Sequence, residues 1–276
     1  MNKGRARFLS VFTLMSRVPV RSVFEPDYSR SDFWLPAISP LVSLAAGAGG
    51  ALGALAFGEP FAAAIAAIAA QYLCFNLFHL DGLLDTADAM ATVAKPARRL
   101  EILKDSRIGS YAFFFGWLAL AAKAATLAIL FRAGIFASAA ALLAAPLAGR
   151  LSCALVPLVS PPAKPTGLGS LMRGFSVRRI ILGFCAGALP LAALALAAVF
   201  AGGGPDSMHA SAARLLLICG AALIAAAAGG LCAGLGLASL YRRRVGGFTG
   251  DALGAAVEAG EILALALLAA VLPRII

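Results

Sequence analysis

The stretch 61–88, FAAAIAAIAAQYLCFNLFHLDGLLDTAD, joins a long apolar run to a cluster of three aspartates. Its apolar part, 61–80, is long enough to cross the hydrocarbon core of a bilayer, which takes about 20 helical residues. Six further apolar runs of sufficient length occur at 35–57, 112–131, 135–158, 180–201, 214–240 and 252–272. The sequence therefore predicts an all-α polytopic membrane bundle of about seven transmembrane helices.

The composition agrees with this prediction. Apolar residues make up 61% of the 276 residues and charged residues only 13%, against about 25% charged in soluble domains. No polar segment is long enough to bury a core of its own. We therefore predict a single integral membrane domain, 1–276, in which 1–34 forms a cytoplasmic interfacial segment and 8–15 an amphipathic surface helix.

The net charge of +10 reflects membrane topology, because the basic residues are concentrated in alternate segments between the spans. If the N-terminus is cytoplasmic, inside segments carry 18 of the 23 Lys and Arg residues: 3, 5, 7, 17, 21 and 30; 95, 98, 99, 104 and 107; 164, 173, 178 and 179; and 242–244. This is the asymmetry that the positive-inside rule requires. The basic charge thus predicts contact with a lipid bilayer and no binding of nucleic acid.

The aspartates at 81, 85 and 88 follow the spacing i, i+4 and i+7. On a helix that turns about 100° per residue, they fall within a sector of about 60°. Three negative charges on one face are costly unless they are solvated or hold cations. Oxygen ligands of this kind suit Mg²⁺ or Mn²⁺ bridging to substrate phosphates, so Asp81, Asp85 and Asp88 are the predicted metal ligands of an enzyme that acts on phosphates.

A second polar segment, RRLEILKDSRIG at 98–109, mixes acids with bases. We predict that Glu101 and Asp105, at i and i+4, share a helical face, and that Lys104 and Arg107 beside them offer donors to a phosphate. The alternative interpretation is a solvated amphipathic loop whose charges pair with one another.

A third segment, RRRVGGFTGD at 242–251, contains adjacent glycines that leave backbone N–H groups open to an anion. Thr249 is predicted to cap the helix that follows, and with Gly250 and Asp251 to bind substrate. The loop 164–174 combines glycines with two cations. It could close over a substrate or serve as an ordinary connector.

Glu258 and Glu261 lie two to three turns inside an apolar span, where ionisable groups usually mark a polar cavity or a paired partner. The expected partners are Lys123 and Arg150, the two basic residues inside other spans. A purely structural ion pair is the alternative to a role in substrate binding.

The stretches 78–88, 100–109 and 246–258, FHLDGLLDTAD, LEILKDSRIG and GGFTGDALGAAVE, resemble the signature segments of the cobalamin synthase family, the adenosylcobinamide-GDP ribazoletransferases. The stretches 14–20 and 167–169 match in the same order, so the resemblance covers nearly the whole chain. In place of the glycine that usually follows the third aspartate in the family, this chain has Ala89.

The resemblance implies a multi-pass, Mg²⁺-dependent enzyme of the bacterial cytoplasmic membrane. It would join adenosylcobinamide-GDP to α-ribazole, or its 5′-phosphate, giving adenosylcobalamin, or its 5′-phosphate, and GMP. The sequence leaves the oligomeric state open. The predicted catalytic residues are Asp81, Asp85, Asp88, Asp105, Lys104 and Arg107, and the predicted substrate-binding residues are Arg150, Thr249, Gly250, Asp251 and Glu258.

Two other classes of membrane protein share parts of this pattern of charges. A membrane phosphotransferase that uses CDP-linked precursors also places aspartates at a helix end, but it couples Asp-Gly directly to an Ala-Arg pair, whereas Leu-Leu-Asp follows Gly82 here. A transporter would line its path with intramembrane charges and repeat broken helices in two halves. No such repeat is evident in this sequence.

Overall fold

The computed structural model describes residues 2–75, 77–201 and 205–276. In this part of the chain the regular secondary structure consists of α-helices. They are α1 (Lys3–Met15), α2 (Ser31–Ala37), α3 (Ser39–Phe57), α4 (Pro60–Phe75), α5 (Phe78–Ala91), α6 (Pro96–Ile102), α7 (Ser110–Arg132), α8 (Ile135–Val159), α9 (Leu168–Leu171), α10 (Val177–Ala201), α11 (Pro205–Val245) and α12 (Gly250–Ile275).

Among the described residues, six helical segments are long and apolar enough to cross a membrane, which confirms the predicted all-α membrane bundle. They are Ser31–Phe57, Ser110–Arg132, Ile135–Val159, Val177–Leu196, Ala212–Val245 and Gly250–Ile275. A seventh crossing exists only if α4 and α5 are counted together. The chain is a multi-pass membrane protein. Residues 202–204, directly after the predicted span 180–201, lie outside the described residues.

The prediction of one continuous helix over 61–80 is wrong. α4 ends at Phe75, α5 begins at Phe78, and the two helix directions differ by 98°. α4 has 16 residues, which span only about 24 Å at 1.5 Å per residue. Because α5 carries the aspartates on one side and a buried strip on another, it packs across the end of the bundle instead of prolonging α4. Asn76 lies outside the described residues.

α8 forms the centre of the bundle and is buried along most of its length. α11 and α12 approach it through glycines: a Cβ added at Gly230 or Gly260 would lie 2.9 Å from the carbonyl oxygen of Ala148. Small residues allow such close backbone contact in lipid, where apolar burial between helices gives little driving force. In the same part of α11, a Cβ added at Gly234 would lie 2.8 Å from the Ser152 carbonyl oxygen, whereas Gly236 faces open space.

The polar segments meet at one end of this bundle. The backbone N–H of Arg17 donates to the carbonyl oxygen of Cys74 at 2.9 Å, and that of Ser176 donates to Asp32 Oδ2 at 2.9 Å. α1, which includes the predicted amphipathic helix, packs at the same end through Phe12 against Phe75. The fold thus places the N-terminal segment beside the candidate site, while the cytoplasmic orientation of this end stays a prediction.

Candidate active site

The site is built where α5 crosses the first turns of α12. A Cβ added at Gly82 would lie 2.8 Å from the carbonyl oxygen of Asp251, and one at Gly254 would lie 2.9 Å from that of His79. Only glycine at both positions permits this approach. The Thr86 hydroxyl, 2.7 Å from the Tyr241 hydroxyl, connects α5 to α11 as well. This crossing brings Asp251 to the aspartates of α5, which the sequence spacing could not indicate.

Asp81, Asp85 and Asp251 form a crowded acidic group. Asp81 is exposed, and Asp85 and Asp251 are partly exposed. α5 lies outside the six spans, and partial burial raises the pKa of Asp85 to about 7, with further contributions from the charges of Asp81, Asp251 and Asp88. Within residues 2–75, 77–201 and 205–276 none of these three carboxylates forms a salt bridge. No basic side chain therefore pairs directly with any of the three, although Lys164 lines the same cavity as Asp251.

Asp88 makes a different set of contacts from its two predecessors. Its Oδ2 accepts a hydrogen bond from the Gly109 N–H at 2.7 Å, and its Oδ1 accepts one from the Ala112 N–H at 2.9 Å. These are N-terminal amides of α7, which otherwise lack helical partners. Asp88 thus caps α7 from another helix. α5 continues past Ala89 to Ala91, so alanine at the family's glycine position keeps the helix unbroken.

The donor atoms fit a hydrated Mg²⁺ better than a closed metal cage. In the part of the chain that the structure describes, no three His, Cys, Asp or Glu side chains are arranged to hold one ion. Mg²⁺ commonly takes only one or two carboxylates and fills its shell with water and substrate phosphate oxygens. The unpaired carboxylates of Asp81 and Asp85 suit that mode, whereas each oxygen of Asp88 already accepts one backbone hydrogen bond. The assignment of all three as metal ligands stays a prediction.

The segment 98–109 differs from its predicted form. α6 ends at Ile102, so Glu101 and Asp105 do not share a helical face. Glu101 pairs with Arg98 at 2.8 Å, and Asp105 pairs with Arg107 at 2.6 Å. Hydrogen bonds from Arg107 lower the pKa of Asp105 to about 2.

A cavity of about 440 Å³ opens between this segment and α5, and its lining includes Asp85, Asp88, Asp105 and Arg107. The structure thus brings four of the six predicted catalytic residues together. Lys104 is exposed and does not line this cavity.

The glycine-rich segment before α12 is held by the loop after α8. The Phe248 N–H donates to the Pro161 carbonyl at 2.9 Å, and the Ala163 N–H donates to the Phe248 carbonyl at 2.8 Å. Together the two loops line a smaller cavity of about 180 Å³, whose lining includes Lys164, Thr249, Gly250 and Asp251.

The predicted capping by Thr249 needs correction. This residue stands at the N-cap position of α12, but its side chain caps no backbone N–H. Its hydroxyl donates to Asp251 Oδ2 at 3.0 Å instead.

The intramembrane charges form one buried network, and the predicted partners are confirmed. Lys123 Nζ lies 2.6 Å from Glu258 Oε2 and 2.8 Å from Glu261 Oε2, and Arg150 NH1 lies 2.8 Å from Glu261 Oε1. Arg150 and Glu258 are each 1% exposed, and neither lines the two cavities described above. Their predicted contact with substrate stays a prediction.

The sequence analysis missed two members of this network, Gln71 and Tyr72. Gln71 Nε2 donates to Glu261 Oε2 at 2.8 Å, and the Tyr72 hydroxyl donates to Glu258 Oε2 at 2.8 Å. A glutamine in the middle of an apolar run was the available signal. His79, which follows this network along the chain, is 4% exposed, and within the described residues its Nε2 has no hydrogen-bond partner.

Several known proteins resemble this chain along nearly its whole length. A protein of Nitratidesulfovibrio vulgaris called adenosylcobinamide-GDP ribazoletransferase is 32% identical over 264 residues, which cover 95% of this chain and 93% of that protein. A protein of Klebsiella pneumoniae with the same name is 33% identical over 263 residues, covering 94% and 97% respectively. No solved structure matches the chain. The family described as Cobalamin-5-phosphate synthase matches residues 7–269, and the chain belongs to that family.

Proposed function

We propose that this chain transfers the phosphocobinamide part of adenosylcobinamide-GDP to α-ribazole or its 5′-phosphate, releasing GMP in the biosynthesis of cobalamin. The observation that carries the proposal is the convergence of Asp81, Asp85 and Asp251 from two helices beside cavities that also contain basic side chains. The relatives named above carry the corresponding enzyme name over nearly their full length.

In the reaction, a ribose hydroxyl of ribazole attacks the phosphorus attached to cobinamide, and the bond from that phosphorus to the GMP oxygen breaks. The hydroxyl proton passes to a carboxylate of the site, and GMP leaves with the bonding electron pair. Displacement at a diphosphate depends mainly on positioning and on neutralisation of charge. Each of the two cavities is large enough for a phosphate-bearing part of a substrate only, so the corrinoid itself would lie outside them.

We assign Asp81 and Asp85, with Asp251 beside them, to a Mg²⁺ ion. When bound, this ion would neutralise charge on the diphosphate oxygens. Arg107, whose side chain is 87% exposed while paired with Asp105, can turn toward the departing phosphate at little cost. Lys164 lies at the other cavity and can neutralise charge there. The site would lie on the cytoplasmic side of a bacterial inner membrane, in keeping with the basic residues that surround it.

The direct test supplies membranes containing the chain with adenosylcobinamide-GDP and ribazole and measures GMP. We expect release only when both substrates and Mg²⁺ are present. Release without ribazole would indicate a hydrolase, and full activity in excess chelator would refute the metal assignment. Asp85→Asn preserves the side-chain volume and removes the charge, so it should reduce turnover by at least about 100-fold, on the scale of losing one electrostatic group at a reaction centre.

The family assignment favours neither of the two alternatives, a CDP-alcohol type of phosphotransferase and a transporter. The first would release CMP when the same membranes are supplied with a CDP-linked substrate. The second would need a path through the bundle. The intramembrane charges are instead paired with one another and at most 3% exposed.

A further inference from the structure

A third cavity, of about 510 Å³, lies between the C-terminal end of α5, the loop 92–95 and the end of α11. We call it the basic cavity, because its lining includes Lys95, Arg99 and Arg244. Among the described residues, those that line it include no carboxylate. An anion in this cavity would therefore meet only cations, whereas the neighbouring cavity beside α5 combines three carboxylates with Arg107.

Arg99 is the fixed cation of the basic cavity and is 3% exposed. Its Nε donates to the Ala94 carbonyl at 3.0 Å, and its NH1 donates to the carbonyls of Met90 and Ala89. Among the described residues no hydrogen bond from its NH2 is found. The side chain therefore holds the end of α5 in place and still has donors to offer to an anion.

The other two cations can move toward an anion. Lys95 and Arg244 are exposed, and over the described ranges neither forms a salt bridge. The basic cavity thus combines one guanidinium held in place with two cations on flexible side chains that can adjust to a bound group.

The surroundings of the basic cavity place it at the level of lipid headgroups. Arg244 stands in the last turn of Ala212–Val245, one of the six segments that can cross a membrane. Leu235, nine residues earlier, is exposed on the same helix, so the surface changes from apolar to basic over about 14 Å. Val93 lines the cavity and is fully exposed. An exposed apolar side chain beside cations is typical of the boundary between acyl chains and headgroups.

We propose that the basic cavity binds the headgroup of an anionic phospholipid, whose phosphate contacts Arg99, Lys95 and Arg244. Basic pockets between transmembrane helices bind such headgroups in membrane proteins. A zwitterionic lipid fits less well, because its ammonium group would meet cations and none of the described lining residues offers it a carboxylate. A soluble phosphate would gain nothing from Val93, whereas a lipid places its acyl chains against that side chain. Neither substrate takes part, so the inference is independent of the proposed reaction.

A bound lipid would also support α5, which carries the aspartates. Lys95 follows α5 and Arg244 belongs to α11, so a phosphate that contacts both side chains joins these two elements. Thr92 lines both the basic cavity and the cavity that contains Asp85. The lipid would therefore hold the end of α5 next to the acidic site.

Native mass spectrometry of the purified full chain in detergent can count bound lipids during titration with phosphatidylglycerol or phosphatidylcholine. We expect saturable binding of phosphatidylglycerol, at least about tenfold tighter than that of phosphatidylcholine. Lys95→Gln and Arg244→Gln should each weaken it about fivefold, the contribution of one basic residue near an anionic lipid surface. Arg243→Gln is the matched control and should leave the affinity unchanged, because Arg243 is exposed on the same turn of α11 and does not line the cavity.

Val93 provides a second measurement that does not depend on charge. The chain has two tryptophans, so Val93→Trp combined with Trp34→Phe and Trp117→Phe carries a single one in the loop 92–95. In vesicles that contain phosphatidylglycerol, its fluorescence should be quenched by lipids brominated on the acyl chain and protected from iodide in the water.

An equal loss of affinity in Arg243→Gln would overturn the inference, since the lipid would then respond to diffuse surface charge. Equal affinity for the two lipids would overturn it as well, and so would Val93→Trp fluorescence that only iodide quenches. The ligand would instead be a soluble phosphate if inorganic phosphate bound to the wild-type chain but not to Lys95→Gln, while both bound phosphatidylglycerol equally. Arg99 is left unchanged because its replacement would release the end of α5.

Discussion

Asp85 and Asp88 are only three residues apart, yet their side chains make different contacts. Asp88 accepts two backbone N–H groups at the start of α7, and in Asp88→Asn the amide nitrogen would face one of them. We expect the free energy of unfolding to fall by about 1–3 kcal/mol, the cost of an unsatisfied buried hydrogen-bonding group. Thermal unfolding in detergent measures this change. A variant as stable as wild type that needs more Mg²⁺ would show that Asp88 is a metal ligand instead.

Asp85→Asn is the matched variant, and unlike Asp88→Asn it should not lower the free energy of unfolding at pH 8. Because the pKa of Asp85 is about 7 in the folded chain, above its usual 3.8, the folded state holds a proton that the unfolded chain releases. Stability in chelator should therefore decline as pH rises from about 4 to 7. Asp85→Asn should remove this part of the decline without lowering stability at pH 8. If the unfolding midpoint changed by the same amount between pH 5 and pH 8 in the wild-type chain and in Asp85→Asn, the expectation would be contradicted.

At the scale of elements, the crossing of α5 and α12 sets the spacing of the acidic residues. A Cβ at Gly82 would contact the Asp251 carbonyl at 2.8 Å, so Gly82→Ala must move α5 away from α12. We expect at least a tenfold loss of turnover, since misplacement by about 1 Å can cost about 100-fold. Gly220→Ala, where no neighbour lies within 4 Å, is the control and should be neutral or slightly stabilising. Normal turnover in Gly82→Ala would mean that this spacing is not critical.

The buried network joins α4, α7, α8 and α12, and its main role is predicted to be structural. Lys123→Met leaves Glu258 and Glu261 without their shared cation, which should cost about 3–5 kcal/mol of unfolding free energy. Adding Glu258→Gln should recover part of that loss, because one uncompensated charge is removed. The four unfolding midpoints of a double-mutant cycle measure the coupling. If Lys123→Met were fully stable but abolished turnover, the network would belong to the reaction.

The sequence predicted the features that depend on neighbouring residues in the chain and missed those that depend on contacts between helices. Apolar length identified the spans, and charge inside them identified the partners of Glu258 and Glu261. The turn between α4 and α5 was missed because the run 61–80 is mostly apolar, and the polar residues Asn76 and His79 near the turn were not interpreted as a helix break. The capping by Asp88 could not be predicted either, since it depends on where α7 begins relative to α5. Sequence spacing gave the aspartates a common face but not their separate partners.

At the scale of the whole molecule, the basic residues and the site share one end of the bundle. The positive-inside rule predicts that this end is cytoplasmic. Single cysteines can test this in a background whose five native cysteines are replaced by alanine. Glu59→Cys lies between α3 and α4, and Ser106→Cys lies between α6 and α7; both positions are exposed.

In intact cells whose outer barrier is permeable to the reagent, a membrane-impermeant maleimide should label Glu59→Cys and spare Ser106→Cys. Inverted inner-membrane vesicles should give the reverse pattern, because Ser106 lies between Asp105 and Arg107, which line the cavity beside α5. Equal labelling of both positions in intact cells would place them on one side and would mean that α4 and α5 together do not cross the membrane. Labelling of Ser106→Cys alone in intact cells would put the site outside the cytoplasm, away from a supply of nucleotide substrates.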